Sequence, residues 1–159
     1  MRFCIWLVSL AMSACEARPA ARETERGDFE KTSVAPDSLD DTSRGAEEVV
    51  RAYYAAINDR DYQRAYDAWG SDGPPGRPTV RAFGSGFAAT DSVYVAIGEP
   101  GRIEGAAGSR YVSIPVRVRA FEHGIGLREY VGSYVVRRSV ISGSAAANRA
   151  WHLYSASLH

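Results

Sequence analysis

Val112-Ser113-Ile114-Pro115-Val116-Arg117-Val118-Arg119-Ala120 is the stretch that decides the fold class. Apolar residues occupy positions 112, 114, 116, 118 and 120, with Ser113, Arg117 and Arg119 between them. A period of two marks a strand with one face on a core and the other in water. A helix would scatter the same residues around its circumference. Pro115 has no N–H to give to a ladder, which predicts an edge position or a bulge.

Moving outward, the same period recurs. Glu122 to Gly126 reads as a five-residue hairpin loop. Leu127 to Val140 is the next strand, with Tyr130, Gly132, Tyr134 and Val136 alternating against Glu129, Val131, Ser133 and Val135. Ser142 to Asn148 is a small-residue turn, and Ala150 to Leu158 is the last strand, carrying Trp151, Leu153 and Tyr154. Upstream, Glu99 to Gly108 is a glycine-rich connection. Before it, Val93, Val95 and Ile97 alternate with Ser92, Tyr94 and Ala96 in the first strand.

Ahead of Thr90 the period becomes helical. Ala46, Val49, Val50, Tyr53 and Ile57 share one stripe behind Ser43, a residue type that caps helices. Asn58-Asp59-Arg60-Asp61 breaks this helix and caps a second, whose aromatic face is Tyr62, Ala65, Tyr66 and Trp69. Gly70 to Pro78 is a loop of glycine and proline. A short third helix, opened by Pro78 or Thr79, carries Val80, Phe83, Gly84 and Phe87. Three helices followed by four antiparallel strands predict an α+β fold, with the helices on one side of a strongly bent, cone-shaped sheet with an open mouth.

The first 43 residues are different material. Arg2 precedes an apolar run from Phe3 to Met12, too short for the roughly 20 residues of a membrane-spanning helix. A basic start and a short apolar run make a secretory signal, residues 1–14. Met12-Ser13-Ala14-Cys15 resembles the bacterial lipobox, with methionine where leucine is usual. The resemblance implies cleavage before Cys15, lipidation of that cysteine and a membrane anchor in the cell envelope; the alternative is ordinary cleavage to a free periplasmic protein. Glu16 follows, which by the enteric sorting rule implies the periplasmic face of the outer membrane. Residues 16–43 scatter Phe29, Val34 and Leu39 without period, so they read as a disordered tether reaching roughly 30 Å. The folded domain is 44–159.

Formal net charge is zero, and loss of Arg2 leaves the mature chain near −1, which argues against a nucleic-acid partner. The only cysteines are Cys4 and Cys15, so the body has no disulfide, thiol nucleophile or cysteine metal site. His123, His152 and His159 show no metal-ligand spacing, and no metal or cofactor is expected.

The run Val49-Val50-Arg51-Ala52-Tyr53-Tyr54-Ala55-Ala56-Ile57-Asn58, followed by Asp61-Tyr62 and Ala65-Tyr66, resembles the opening of many nuclear transport factor 2-like (NTF2-like) proteins, the superfamily of ketosteroid isomerase and SnoaL-like cyclases. Gly105-Ala106-Ala107-Gly108-Ser109-Arg110-Tyr111 before Ile114-Pro115-Val116, and Gly132-Ser133-Tyr134 before Arg137-Arg138 and Trp151, resemble exported lipoproteins of that family. The resemblance spans about residues 45–158. It implies the cone fold, a habit of dimerising through the sheet, and either a binding or a catalytic use of the cone. An isomerase-like member would carry an inward carboxylate beside oxyanion donors. Tyrosines abound, but Glu129 falls on the face opposite Tyr130 and Tyr134, and Asp61 and Asp67 are explained by capping and solvent.

The remaining signal is aromatic: Tyr53, Tyr54, Tyr66, Trp69, Phe83, Phe87, Tyr130 and Tyr134. Most serve as core, since short helices need large residues to reach a curved sheet; a few are expected to line the mouth and hold a ligand. The expectation is therefore a membrane-anchored, non-catalytic binding or accessory protein for a small apolar ligand or an envelope protein. A cone-pocket isomerase, cyclase or hydratase, and a structural protein forming homodimers, are the alternatives.

Overall fold

The computed structural model describes residues 42–159; the signal segment, Cys15 and tether residues 16–41 lie outside the described residues. The sheet is built on one long hairpin. β3 (Ser109–Glu122) and β4 (Gly126–Ser139) pair without a break from Ser109↔Ser139 to Glu122↔Gly126. β1 (Thr90–Ile97) lies antiparallel on the outer side of β3, and β5 (His152–Leu158) on the outer side of β4. The order is β1-β3-β4-β5.

The alternation holds in β3. Val112, Ile114, Val116, Val118 and Ala120 are all buried, while Ser113, Arg117 and Arg119 are exposed. Pro115 is a correction: it stands neither on an edge nor at a bulge. Its carbonyl accepts from Gly98 N–H just past Ile97, where β1 ends, and in an antiparallel strand a residue's nitrogen faces the same side. The missing N–H therefore falls where the neighbouring strand leaves.

The sequence pattern predicts four strands; the described residues form five. β2 (Glu104–Ala106) pairs with Ser109–Tyr111 beyond the end of β1, through a turn with positive φ at both Ala107 and Gly108. Such turns normally show asparagine or glycine at the first position, so alanine hides the hairpin.

α1 (Ser43–Asn58), α2 (Tyr62–Asp67) and α3 (Val80–Ser85) occur where the helical period predicts them. Ser43 is the first helical residue, one position inside the N-cap, which Thr42 takes. Asp61 caps α2 by accepting from Arg64 N–H at 3.0 Å, and Thr79 caps α3 by accepting from Ala82 N–H at 3.1 Å. A 3-10 turn at Gly70–Asp72 and a one-turn α4 (Ala146–Arg149) add to the expected set. α4 is tied from afar, since Asn148 accepts from the Ser71 hydroxyl at 3.1 Å.

α1 is buried on more than a stripe. Tyr54 and Ala56 join Ala46, Val50, Tyr53 and Ile57 inside, because the sheet curves around the helix. Asn58 sets its position: the side-chain amide donates to Val93 O and accepts from Val93 N–H, both at 2.8 Å. Two irregularities bend the sheet, one between Thr90 and Ser92 and one between Val135 and Val136. Extra residues of this kind increase strand twist.

Candidate functional site

Successive helix residues lie about 100° apart, so Tyr53 and Tyr54 are both buried only because the core wraps α1. β4 sends Tyr134 to meet them, and Tyr130, four residues earlier on the same face, stands nearer the hairpin end. The Tyr54 and Tyr134 hydroxyls lie 2.7 Å apart. Their rings meet edge to face, and the Tyr53 ring packs against both at centroid distances of 5.0 and 6.0 Å.

These three tyrosines are 3–5% exposed and sit deepest in a cavity of about 320 Å³. Val93 and Val118 form part of its wall, while Phe87 and Tyr130 are only partly buried and stand nearer its opening. In the Tyr54–Tyr134 pair, one phenol donates its proton and the other keeps its own. Burial pushes all three hydroxyls above the ordinary phenol range; for Tyr53 and Tyr134 the neighbouring phenols add to this. They stay neutral, so the cavity presents hydrogen-bond donors rather than phenolates. The Trp69 indole N–H is buried without a hydrogen-bond partner, although it offsets part of the burial effect at Tyr53.

The eight aromatic residues divide. Tyr53, Tyr54, Phe87, Tyr130 and Tyr134 line the tyrosine cavity. Trp69 and Phe83, with Phe87 again, line an adjoining recess. Tyr66 lines neither: its hydroxyl end lies against Gly73, leaving no room there for a Cβ, and its ring meets Phe83. A helical stripe shows that these residues point inward, but not which hollow they reach.

The cavity also holds a carboxylate that is absent from the expected set. Glu122 ends β3 instead of opening a loop, and it lies in phase with the inward residues 112 to 120. Its side chain is 19% exposed, forms an ion pair with Arg128 Nε at 3.1 Å, and receives a long 3.4 Å contact from the Tyr130 hydroxyl. The signal was present: the period of two runs through position 122, but Gly124 and Gly126 make the segment look like a turn. Glu129 behaves as its strand phase predicts. It stands on the outer face with Arg117 and Arg119, whose guanidiniums hold its carboxyl below the usual range. Asp61 is a cap, as expected.

His152 is a core residue whose Nδ1 lies 3.0 Å from Ala150 O; the carbonyl can only accept, so the proton is on Nδ1. His123 is exposed near Asp91. Among the described residues, no cluster of three or more histidine, cysteine or acidic side chains could hold a metal, and no helix is long and apolar enough to cross a membrane.

The helix-backed, strongly bent antiparallel fold is shared with several solved structures. One, an NTF2-like family protein from Streptomyces avermitilis, is 12% identical, with a TM-score of 0.50 over 73% of this chain and 93% of that one. A second, an NTF2-like superfamily protein from Salmonella enterica serovar Typhimurium, is 11% identical, with a TM-score of 0.51 over 74% and 91%. The fold is NTF2-like. A protein from Kribbella flavida is similar at 15% identity, with a TM-score of 0.50 over 73% of this chain and 88% of that one. No family model and no curated protein matches the chain. At these identities the NTF2-like likeness carries the fold alone, and function has to be argued from the cavity.

Proposed function

We propose that this NTF2-like domain is a binding module for a small, mostly apolar ring compound carrying one hydrogen-bond acceptor, held at the bacterial envelope by a lipidated Cys15. The observation that carries the reading is the buried Tyr54–Tyr134 hydroxyl pair, with one proton beyond the one they share, at the deep end of a cavity walled in part by Val93, Val118 and Phe87. A volume of about 320 Å³ sits at the small end of the range for ligand sites and suits one or two fused rings. A thermal-shift screen of bicyclic ketones, phenols and their saturated hydrocarbon analogues tests it. Ketones and phenols are expected to raise the melting temperature more than the hydrocarbons do. Silence across the panel contradicts the reading.

The anchor rests on the lipobox resemblance. Cys15→Ser is expected to move the protein from the membrane pellet to the soluble fraction and to abolish palmitate labelling. A mutant that still pellets and labels contradicts it.

Glu122 supports a second reading, a cone-pocket enzyme that moves a carbon-bound proton. The Streptomyces protein is described as a candidate dehydratase. Against this, the Glu122 carboxylate is already engaged in an ion pair with Arg128. The two readings separate on 2-tetralone in deuterated buffer. A binding module leaves α-proton exchange at the buffer rate. An enzyme accelerates it, and Glu122→Gln removes the acceleration.

A further inference from the structure

The recess beside the tyrosine cavity carries a cation with no counter-ion. Pro74-Pro75-Gly76-Arg77 closes a turn in which Arg77 N–H donates to Pro74 O at 3.1 Å. Gly76 has φ +70, so proline and glycine occupy the second and third positions, as a type II turn requires. The loop is pinned where Gly73 lies on Tyr66, and Pro74 is buried. Arg77 is thus presented from a stiff base.

Its side chain lines a recess of about 310 Å³ together with Trp69, Pro74, Pro75, Phe83 and Phe87. Among the described residues it makes no ion pair or side-chain hydrogen bond, unlike Arg64, Arg117, Arg119 and Arg128. The recess and the tyrosine cavity share Gly86 and Phe87. A Cβ on Gly86 would stand 3.8 Å from Arg77 Nη2, so the guanidinium hangs over the boundary between the two hollows. Gly86 has an ordinary helical φ of −66°, so its backbone does not call for glycine; a Cβ there would instead stand 3.2 Å from the Phe83 carbonyl oxygen.

We propose that the ligand is an anionic amphiphile: its ring lies among Tyr53, Tyr54 and Tyr134, and its carboxylate reaches past Phe87 to Arg77. This rests on the binding reading above and names the class of ligand. Arg77 is itself exposed, and its guanidinium offers a carboxylate two parallel N–H donors at the mouth of the recess.

The test uses naphthyl-alkanoates with one to four methylenes and the matched naphthyl-alkanols, titrated calorimetrically into the protein and into Arg77→Gln. At least one acid is expected to bind about tenfold more tightly than its alcohol, the size of one charge-assisted hydrogen-bond pair. In Arg77→Gln the two should bind within about twofold of each other. Equal binding of acids and alcohols to the unmodified protein overturns the assignment of Arg77 while leaving the tyrosine cavity as a binding site. A preference that survives in Arg77→Gln overturns it as well. If neither series binds, this inference and the binding reading fall together.

Discussion

Gly132→Ala is expected to melt at least 10 °C below the unmodified domain. Gly132 shares the concave face with Tyr130 and Tyr134, and β5 folds over it at the Leu158 pairing. A Cβ there would collide with the Ser157 carbonyl oxygen and crowd Leu158 Cα. Both are backbone atoms, so no side chain can swing aside. The β4–β5 ladder must open or the sheet must flatten. Overpacking costs about 1–3 kcal/mol and each lost ladder bond about 1 kcal/mol, so a total near 3 kcal/mol follows. For a domain of this size that amounts to roughly 10 °C. Thermal unfolding followed by circular dichroism checks it; a loss under about 2 °C would show that β5 tolerates displacement.

Tyr54→Phe and Tyr134→Phe are the second pair of large effects. Each single change leaves the other hydroxyl buried without its 2.7 Å partner, at a cost of about 1–3 kcal/mol. The double change removes both groups and is expected to cost less than the sum of the two, so a double-mutant cycle shows a favourable coupling. Alkaline stability follows from the same burial. Folding holds these phenols neutral, which raises their pKa above the ordinary value of about 10. The stabilisation is therefore fully present below pH ~10 and is lost as pH rises, because only the unfolded chain ionises, by about 1.4 kcal/mol per tyrosine per pH unit. Unfolding titrations between pH 9 and 11 should show a steep decline, shallower by two tyrosines in the double variant. An unchanged slope in that variant would place the pair in solvent contact.

Ligand binding should follow the hydroxyls as well. Each single variant is expected to lose about fivefold or more in affinity for a ketone or phenol, and almost none for a hydrocarbon of the same shape.

The alternation in β3 and β4 and the helical stripes of α1 to α3 made the architecture legible in the sequence, because each element buries one face and repeats at its own period. Glu122 was legible in principle, as the next inward position after Ala120. Its neighbouring glycines compete for the reading, and only the pairing with Gly126 resolves it. The division of the aromatic residues between two hollows was not legible. Tyr62, Ala65, Tyr66 and Trp69 share one stripe, yet Trp69 reaches the recess while Tyr66 ends against Gly73. That division depends on how far the sheet bends and on where the Pro74–Arg77 turn lies beside Phe83, both set by contacts between segments distant in sequence. β2 and α4 escaped for a related reason: alanine-rich segments with weak local preference are held by Ser109–Tyr111 and by Ser71.

The central claim is that a ligand enters past Phe87 and Tyr130 and meets the tyrosine hydroxyls. Labelling every tyrosine with 13C at the ring Cζ and titrating 2-naphthol reads this residue by residue. Tyr53, Tyr54 and Tyr134 are predicted to shift together and saturably, while Tyr94 and Tyr154, exposed on the outer side of the sheet, stay in place. Saturable shifts at Tyr94 and Tyr154 with the buried trio unmoved would contradict the account.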